Sequence, residues 1–481
     1  MCYPIIMKRF YLIFIFSFCA LFLNAGEKLF DLEGATSSVY AKYIDGDVVL
    51  DKNPSLRLNA ASVAKLFTTA AALDAFGPNY TFETKIYFNG IKKGKKLKGD
   101  IFIVGGGDPT LASKYFEQTL EQVVLSWIEE LKKQGITKIT GNIFADNTLF
   151  KEPLLPVYTT YQNIGNYFAA PVDALTIKDN NFAIYFEPSC GEGALGKIAQ
   201  IAPKEYIVPI EIKAYYTAEV SREDTYLNFI PLQNKMLITG RLPLTEKRTE
   251  VLGAMANPAL FTAEYFKAKL IQNGIKVKGN AALGSKENYL QDTLLYTQTS
   301  APLKEIVQKT NKRSVNLYAD ILLRHLGQGS AKEGALAVKN YLEKLNIDSS
   351  STKIYDGSGL ARSNLTTCKT IVNLLENITK QSYAQDFIDS LSIAGDKEDI
   401  GNMAGRMQNT LAAGNARVKT GSVEGVRAHA GYIKDKQNRQ IAFCIISNNF
   451  DVSREQIDAL HEEIILFLAS LNKSGKDKNK K

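Results

Sequence analysis

Residues 59–76 read Asn-Ala-Ala-Ser-Val-Ala-Lys-Leu-Phe-Thr-Thr-Ala-Ala-Ala-Leu-Asp-Ala-Phe and are followed by Gly77-Pro78. The stretch is nearly all apolar and ends in a Gly-Pro stop, so it is expected to be a buried helix. Lys65 does not fit that environment. An unpaired buried ammonium is costly, so Lys65 needs a partner or loses its proton. Ser62, three residues earlier, falls on the same helix face within reach of the amine. A serine hydroxyl beside a desolvated amine is an activated nucleophile. The plainer alternative has Ser62 capping the helix and Lys65 reaching out to water, and an isolated Ser-x-x-Lys favours it. Partner motifs elsewhere in the chain decide between the two.

At 481 residues, with 45% apolar and 22% charged residues, the chain is long enough for about two or three globular domains. Lys8 and Arg9 precede an apolar run from Phe10 to Leu23, and Ala25 stands before Gly26. This is the pattern of a secretory signal peptide over 1–25, too short for a confident membrane span, with a retained anchor as the alternative. The mature chain is therefore expected outside the cytoplasm, periplasmic or otherwise extracytoplasmic. Cleavage after Ala25 would leave Cys190, Cys368 and Cys444, an odd and scattered set that argues against a disulfide framework. Cys444, inside Ile441-Ala-Phe-Cys-Ile-Ile, reads as a buried small hydrophobe. His325, His429 and His461 are the only histidines and form no metal-spaced cluster, so neither a metal nor a cofactor is expected.

The net charge of +8 is unevenly placed: Lys8 and Arg9 leave with the leader, and 473–481 is a lysine-rich tail. The remaining body is nearly neutral, and since nucleic-acid binding calls for a basic stripe over a folded face and sits oddly with secretion, no nucleic-acid partner is expected. Ile457, Leu460, Ile464, Phe467, Leu468 and Leu471 recur at helical spacing just before the tail. The tail is expected to be the frayed, solvated end of a core-packed last helix, with weak contact to anionic membrane or wall polymer as the alternative.

Ser38 to Leu50 alternates around Asp45-Gly46, a hairpin signature, and feeds into the Ser62 segment. Arg427 to Ile433 and Arg439 to Ser447 form a second pair of strand-like runs before the last helix. One sheet built from both chain ends, with everything between inserted, follows. In the insertion, Leu97 to Val104 reads as a strand, Leu120 to Gln134 as a helix and Lys138 to Ala145 as a strand. Gly105-Gly106-Gly107-Asp108-Pro109 is read as a turn, since no Lys-Ser/Thr follows it to make a phosphate loop. Between Asn181 and Val251 short alternating runs suggest a nested β unit. The expected division is 26–93 with 285–472 as a discontinuous catalytic unit, 94–180 with 252–284 as an inserted α/β unit, and 181–251 as the nested β-rich unit.

Two further clusters turn the odds on Ser62. Ser314-Val315-Asn316 lies between two predicted helices, and Lys419-Thr420-Gly421-Ser422 follows a strand-like run expected beside the Ser62 helix. Each alone is a common tripeptide or turn. Together, in this order and with large gaps, they resemble the active-site set of serine penicillin-binding proteins and β-lactamases. In that chemistry Ser62 attacks an acyl carbon and a neutral Lys65 takes its proton. Ser314 relays the proton to the leaving amine, Asn316 holds Lys65 and the substrate amide, and Lys419 stays charged to attract a carboxylate. Gly421 gives the substrate room along the strand, and the N–H groups of Ser62 and Ser422 serve as an oxyanion hole. His429 is the rival base, weighed below a reading as an ordinary strand residue.

The chain also carries Val-Gly-Gly-Gly-Asp-Pro-Thr-Leu (104–111), Ala-Pro-Val-Asp-Ala-Leu (170–175), Asp-Asn-Asn-Phe (179–182), Asp-Gly-Ser-Gly-Leu-Ala-Arg (356–362) and Val-Arg-Ala-His-Ala-Gly-Tyr (426–432). With the three motifs, these phrases closely resemble the D-alanyl-D-alanine carboxypeptidase/endopeptidase family of the penicillin-binding protein 4 (DacB) type, peptidase family S13. The resemblance implies a mixed α/β (α+β) transpeptidase fold of the penicillin-binding-protein/β-lactamase kind, with an antiparallel sheet, a helical subdomain and two nested inserted domains. It implies a serine-type carboxypeptidase acting on peptidoglycan stem peptides through an acyl-serine, extending to D,D-endopeptidase action on cross-links, with β-lactam antibiotics as covalent inhibitors. A β-lactamase or esterase of the same fold, and a non-catalytic wall-binding protein, are the competing readings. The chain departs from the family pattern at Val315, where many relatives have Asp, and at Tyr161-Gln-Asn163, where relatives often carry a Trp-rich phrase with an acid. The segment from Ala394 to Met407 is longer and more charged than its counterpart.

Overall fold

The computed structural model describes residues 34–189, 191–230, 233, 235–286 and 292–472. The expected leader 1–25, Cys190 and the basic tail 473–481 lie outside the described residues.

Both chain ends meet in one six-stranded antiparallel sheet, ordered Ser392–Ile393, Arg417–Val423, Val426–Lys434, Gln440–Asn448, Thr36–Tyr43, Val48–Lys52. The N-terminal hairpin thus pairs with a strand some four hundred residues later, Val39 lying opposite Ile445. Period-two alternation splits the side chains between two cores. Ala428, Ala430, Tyr432, Ala442, Cys444 and Ile446 face the helices, while Val39, Ala41, Ile433, Ile441, Phe443 and Ile445 face the other way. Because both faces are covered, Ile441 to Ile446 is apolar throughout rather than alternating with polar residues.

Nine helices are present among the described residues: α1 (Lys65–Phe76), α2 (Leu120–Lys133), α3 (Pro258–Gln272), α4 (Leu303–Lys312), α5 (Asn316–Leu326), α6 (Ala331–Lys344), α7 (Cys368–Ile378), α8 (Ala384–Asp389) and α9 (Arg454–Ser470). Helix α1 is buried from Lys65 to Leu73 and stops at Gly77, whose φ of 79° and N–H to Leu73 O close the last turn. Leu66, Phe67 and Leu73 share a core with Ile306 of α4, Ile321 of α5, Leu342 of α6 and Ile371 of α7. Each fully buried aliphatic side chain there stabilises by about 1.5–3 kcal/mol, so α1 is held in the centre of the helical layer by packing. Helix α9 starts at a Ser453/Gln456 capping box and lays Ile464, Ile465 and Leu468 on the opposite sheet face.

The intervening chain forms further sheets. Ala281–Leu283, Ile143–Asp146, Ile101–Val104, Glu83–Asn89 and Asp292–Thr299 make one of five strands. Lys276–Val277, Lys138–Ile139, Lys96–Lys98 and Ile91–Lys93 make one of four, and α2 and α3 share the core of this part. Asn181–Phe186 pairs with Ile198–Ala202 and Thr249–Ala254, and Lys235–Pro243 gathers three short strands around it. The expected strands 97–104 and 138–145 are each divided between two sheets. Gly99 marks the first break, because a Cβ there would lie 1.7 Å from Asn89 O.

We propose that the inserted part begins at Phe82 and ends at Ser300, outward of the expected boundaries near 93 and 285. Glu83–Asn89 and Asp292–Thr299 pair with each other inside the five-stranded sheet rather than with the sheet of the chain ends. Phe82 and Ser300 stand side by side, with Phe82 N donating to Ser300 Oγ and Ser300 N to Phe82 O, both at 2.9 Å.

Candidate active site

Ser62 lies just outside α1, in the 3₁₀ turn Ala61–Ala64, and Lys65 opens the helix. The turn is tight because Ala61 adopts φ 44°, a left-handed conformation that costs a residue with a Cβ on the order of 1–3 kcal/mol. Asn59 holds it there. Its Oδ1 accepts from Ala61 N at 2.7 Å, and its amide donates to Ala361 O at 3.3 Å and Arg362 O at 3.0 Å. Two glycines press backbone onto the same turn. A Cβ on Gly359 would lie 2.0 Å from Ala61 O, and one on Gly421 would lie 2.4 Å from Ala60 O and 3.2 Å from Ser62 N. Besides the room it is expected to leave for substrate, Gly421 leaves room for the nucleophile's own turn.

Lys65 Nζ is fully buried among three acceptors: Ser62 Oγ at 2.8 Å, Asn316 Oδ1 at 2.6 Å and the carbonyl oxygen of Ser358 at 2.6 Å. Burial pulls the amine down to about 7, against the opposing pull of Asp320 and Asp356. A neutral amine has two hydrogens and one lone pair. With the hydrogens on Asn316 and Ser358, the lone pair faces the Ser62 hydroxyl. Asn316, expected in a loop, is the first residue of α5, and its amide nitrogen donates to Phe168 O at 2.8 Å. That bond turns the amide oxygen toward Lys65, and it comes from the inserted part of the chain.

Ser314 sits between α4 and α5 with φ 57°. Its Oγ accepts from Lys419 Nζ at 2.9 Å, and the same amine donates to Thr420 O at 2.6 Å. Lys419 is fully buried, and burial, then Lys65 and Arg427, push its amine well below the ordinary lysine value. Burial above all, with Lys65 and Arg427 adding to it, thus works against the charge that Lys419 is expected to keep. Lys419 and Thr420 are buried within Arg417–Val423, Asn402 Nδ2 reaches Thr420 Oγ1 at 3.5 Å, and Ser422 is exposed. Ser62, Ser314, Asn316 and Ser422 line a cavity of about 770 Å³ together with Arg362 and Tyr167. The three motifs thus converge: Ser62 and Lys65, Ser314 and Asn316, and Lys419 through Ser422 surround one cleft.

His429 does not reach that cleft. It is fully buried in the sheet, with its Nδ1 2.9 Å from His461 Nδ1 and its Nε2 3.4 Å from Arg427 Nη2. Burial and the Arg427 cation keep it neutral, and it is a core histidine. The motif reading missed Asn59, Phe168, Ser358 and Asp320. Asp320 carried a usable signal: an acid inside the apolar run of α5 raises the same question as Lys65 in α1.

Residues 26–471 match the model of the D-Ala-D-Ala carboxypeptidase 3 (S13) family. The D-alanyl-D-alanine carboxypeptidase of Actinomadura sp. (strain R39) is 30% identical over 431 residues, which is 87% of this chain and 78% of that protein. The crystal structure of penicillin binding protein 4 (dacB) from Haemophilus influenzae superposes with a TM-score of 0.80 at 26% identity, covering 94% of this chain and 100% of that one. The same protein complexed with a β-lactam gives a TM-score of 0.76 at 26% identity, over 93% and 100% of the two chains. With a family model spanning nearly all of the sequence and a cleft in which the three motifs meet, the chain belongs to the D-Ala-D-Ala carboxypeptidase 3 (S13) family.

Proposed function

We propose that the chain performs the D-Ala-D-Ala carboxypeptidase reaction of its family through an acyl-enzyme on Ser62, with Lys65 as the base. The observation that carries this reading is the cradle around Lys65 Nζ, whose two other acceptors leave the lone pair for the Ser62 hydroxyl. Ser62 Oγ attacks the carbonyl carbon of the penultimate D-Ala of a stem peptide, and its proton passes to Lys65. The carboxylate of the terminal D-Ala pairs with the Lys419 ammonium and offsets the burial that works against its charge. Ser314, hydrogen-bonded to Lys419, gives its hydroxyl proton to the departing amine and regains one from the protonated Lys65, so the proton taken from Ser62 ends on the leaving D-Ala. Asn316 orients Lys65 and the substrate amide, Thr420 and Ser422 line the strand against which the peptide lies, and the Ser62 and Ser422 N–H groups stabilise the oxyanion. Water then releases the acyl group.

A cross-link differs from a stem terminus only in what the leaving amine carries, so the same step serves D,D-endopeptidase action. β-Lactams acylate the same serine and act as covalent inhibitors, in keeping with the β-lactam complex of the Haemophilus influenzae protein. The enzyme works on peptidoglycan, hence outside the cytoplasm, and 1–25 serves as its export signal to the periplasm, with wall-surface contact by the tail 473–481 as a secondary role. The test is D-Ala release from a soluble stem pentapeptide. Release by the wild type that is abolished in Ser62→Ala is the expected result; release by Ser62→Ala would refute the reading. A penicillin adduct that hydrolyses within seconds would favour a β-lactamase instead.

A further inference from the structure

Asp320 lies one turn beyond Asn316 on α5, so the two side chains share a face of the helix that is turned toward Lys65. It is 8% exposed, in a run otherwise made of Leu317, Tyr318, Ala319, Ile321 and Leu322. A carboxylate placed there is costly unless it is hydrogen-bonded and paired. Its Oδ1 accepts the backbone N–H of Gly357 at 2.7 Å and of Ser358 at 2.9 Å. Those two residues form the turn whose Ser358 carbonyl takes one hydrogen of Lys65 Nζ at 2.6 Å. Thr68, one helical step beyond Lys65, donates to the Gly357 carbonyl of the same turn at 3.1 Å. The turn that completes the lysine cradle is therefore fastened to α5 through one carboxylate oxygen.

We propose that Asp320 is a positioning residue for acyl transfer, which fixes the Ser358 carbonyl that aims the Lys65 amine and supplies the negative charge that governs how readily that amine accepts the Ser62 proton. The inference rests on the reading of Ser62 as nucleophile and Lys65 as base. When Ser62 attacks, its O–H bond breaks, the proton forms a third N–H bond on Lys65, and a positive charge appears in a dry interior. Asp320 is the buried anion on α5 facing that charge. Asp356 faces it from the 352–367 loop, Lys419 from the sheet, and Arg324 stands behind Asp320 one turn further along α5. Asp356 is committed elsewhere, to Gly359 N at 2.8 Å, Ala361 N at 2.6 Å and Asn364 Nδ2 at 2.7 Å. Burial, and then Asp356, push the Asp320 carboxyl up toward neutrality while Lys65 pulls it back, so acid and amine titrate as a linked pair.

The experiment compares the pH profile of penicillin acylation in wild type and Asp320→Asn. Asparagine keeps the acceptor for Gly357 and Ser358 but removes the charge. The expected result is an acid limb moved about one pH unit lower, with adduct still formed at the plateau. An unchanged acid limb with a plateau rate like the wild type would overturn the proposal. Should the variant not fold, the wild type labelled with carboxyl-¹³C aspartate supplies the second measurement. One aspartate carboxyl should titrate near neutrality and change its midpoint once Ser62 is acylated; if none does, the proposal is wrong. Failure of wild-type protein to form any adduct would instead refute the reading of Ser62, so the two failures are distinguishable.

Discussion

At the scale of single residues, the account turns on Lys65 acting as a free amine. An ammonium cannot take the Ser62 proton, so acylation should fall as the pH drops below about 7, where burial has placed this lysine. Lys65→Ala should lose about 10²- to 10⁴-fold in acylation rate, whereas His429→Ala should keep the pH profile of the wild type even where cavity formation lowers its stability. Stopped-flow acylation across pH checks both. Gly421→Ala puts a methyl 2.4 Å from Ala60 O, so the catalytic strand and the Ser62 turn must separate. The expected outcome is a folded protein that acylates at least about tenfold more slowly, in the way that small misplacements slow well-oriented reactions. Ser62 and Lys65 were legible in the sequence because a lone cation in an apolar helix needs an explanation. Asp320 poses the same puzzle in α5 but sits outside the three motifs. The role of Gly421 was not legible, because only folding brings it against residues more than three hundred positions earlier.

At the scale of elements, the connections around the cleft are tied by buried charge. Lys312, at the end of α4 two residues before Ser314, pairs with Asp399 in the long segment 394–407, with side chains 8% and 1% exposed. Asp399 also accepts from Ser392 Oγ at 3.0 Å, Ile393 N at 3.1 Å and Gly401 N at 3.0 Å. The segment that departs from the family pattern in length and charge is thus fastened to α4. Burial alone would raise the Asp399 carboxyl, but Lys312 and the backbone donor outweigh it and hold it below the ordinary value. A depressed carboxylate contributes stability above its unfolded-state value of about 3.9, and that share disappears as the pH falls through the lower folded value. Lys312→Ala should therefore cost about 3–5 kcal/mol at neutral pH, with the gap to wild type narrowing below about pH 4. Urea titrations at several pH values measure it. The N-terminal hairpin, the C-terminal pair of strands and α9 were readable from periodicity. The strands expected over 97–104 and 138–145 were not readable as pairs of short strands, since the alternating pattern carries no mark of which sheet a residue joins.

At the scale of the whole molecule, a catalytic cleft assembled from both chain ends is completed by the inserted part. Phe168 O holds the Asn316 amide, and Gln162, Asn163 and Tyr167 line the same cavity as Ser422. Cys368 and Cys444 are both free and fully buried. Burial and the neighbouring Cys368 push the Cys444 thiol well up, away from the reactive thiolate. Mild reductant should leave the melting temperature unchanged; a fall of several degrees would contradict this. The central claim, covalent catalysis by Ser62 in the lysine cradle, is tested most directly by the intact mass of the protein after brief exposure to benzylpenicillin. The account predicts a stable gain of one penicillin per chain, mapped to the peptide containing Ser62 and absent from Ser62→Ala. An adduct that persists in Ser62→Ala, or a wild-type protein that gains no mass, would contradict it.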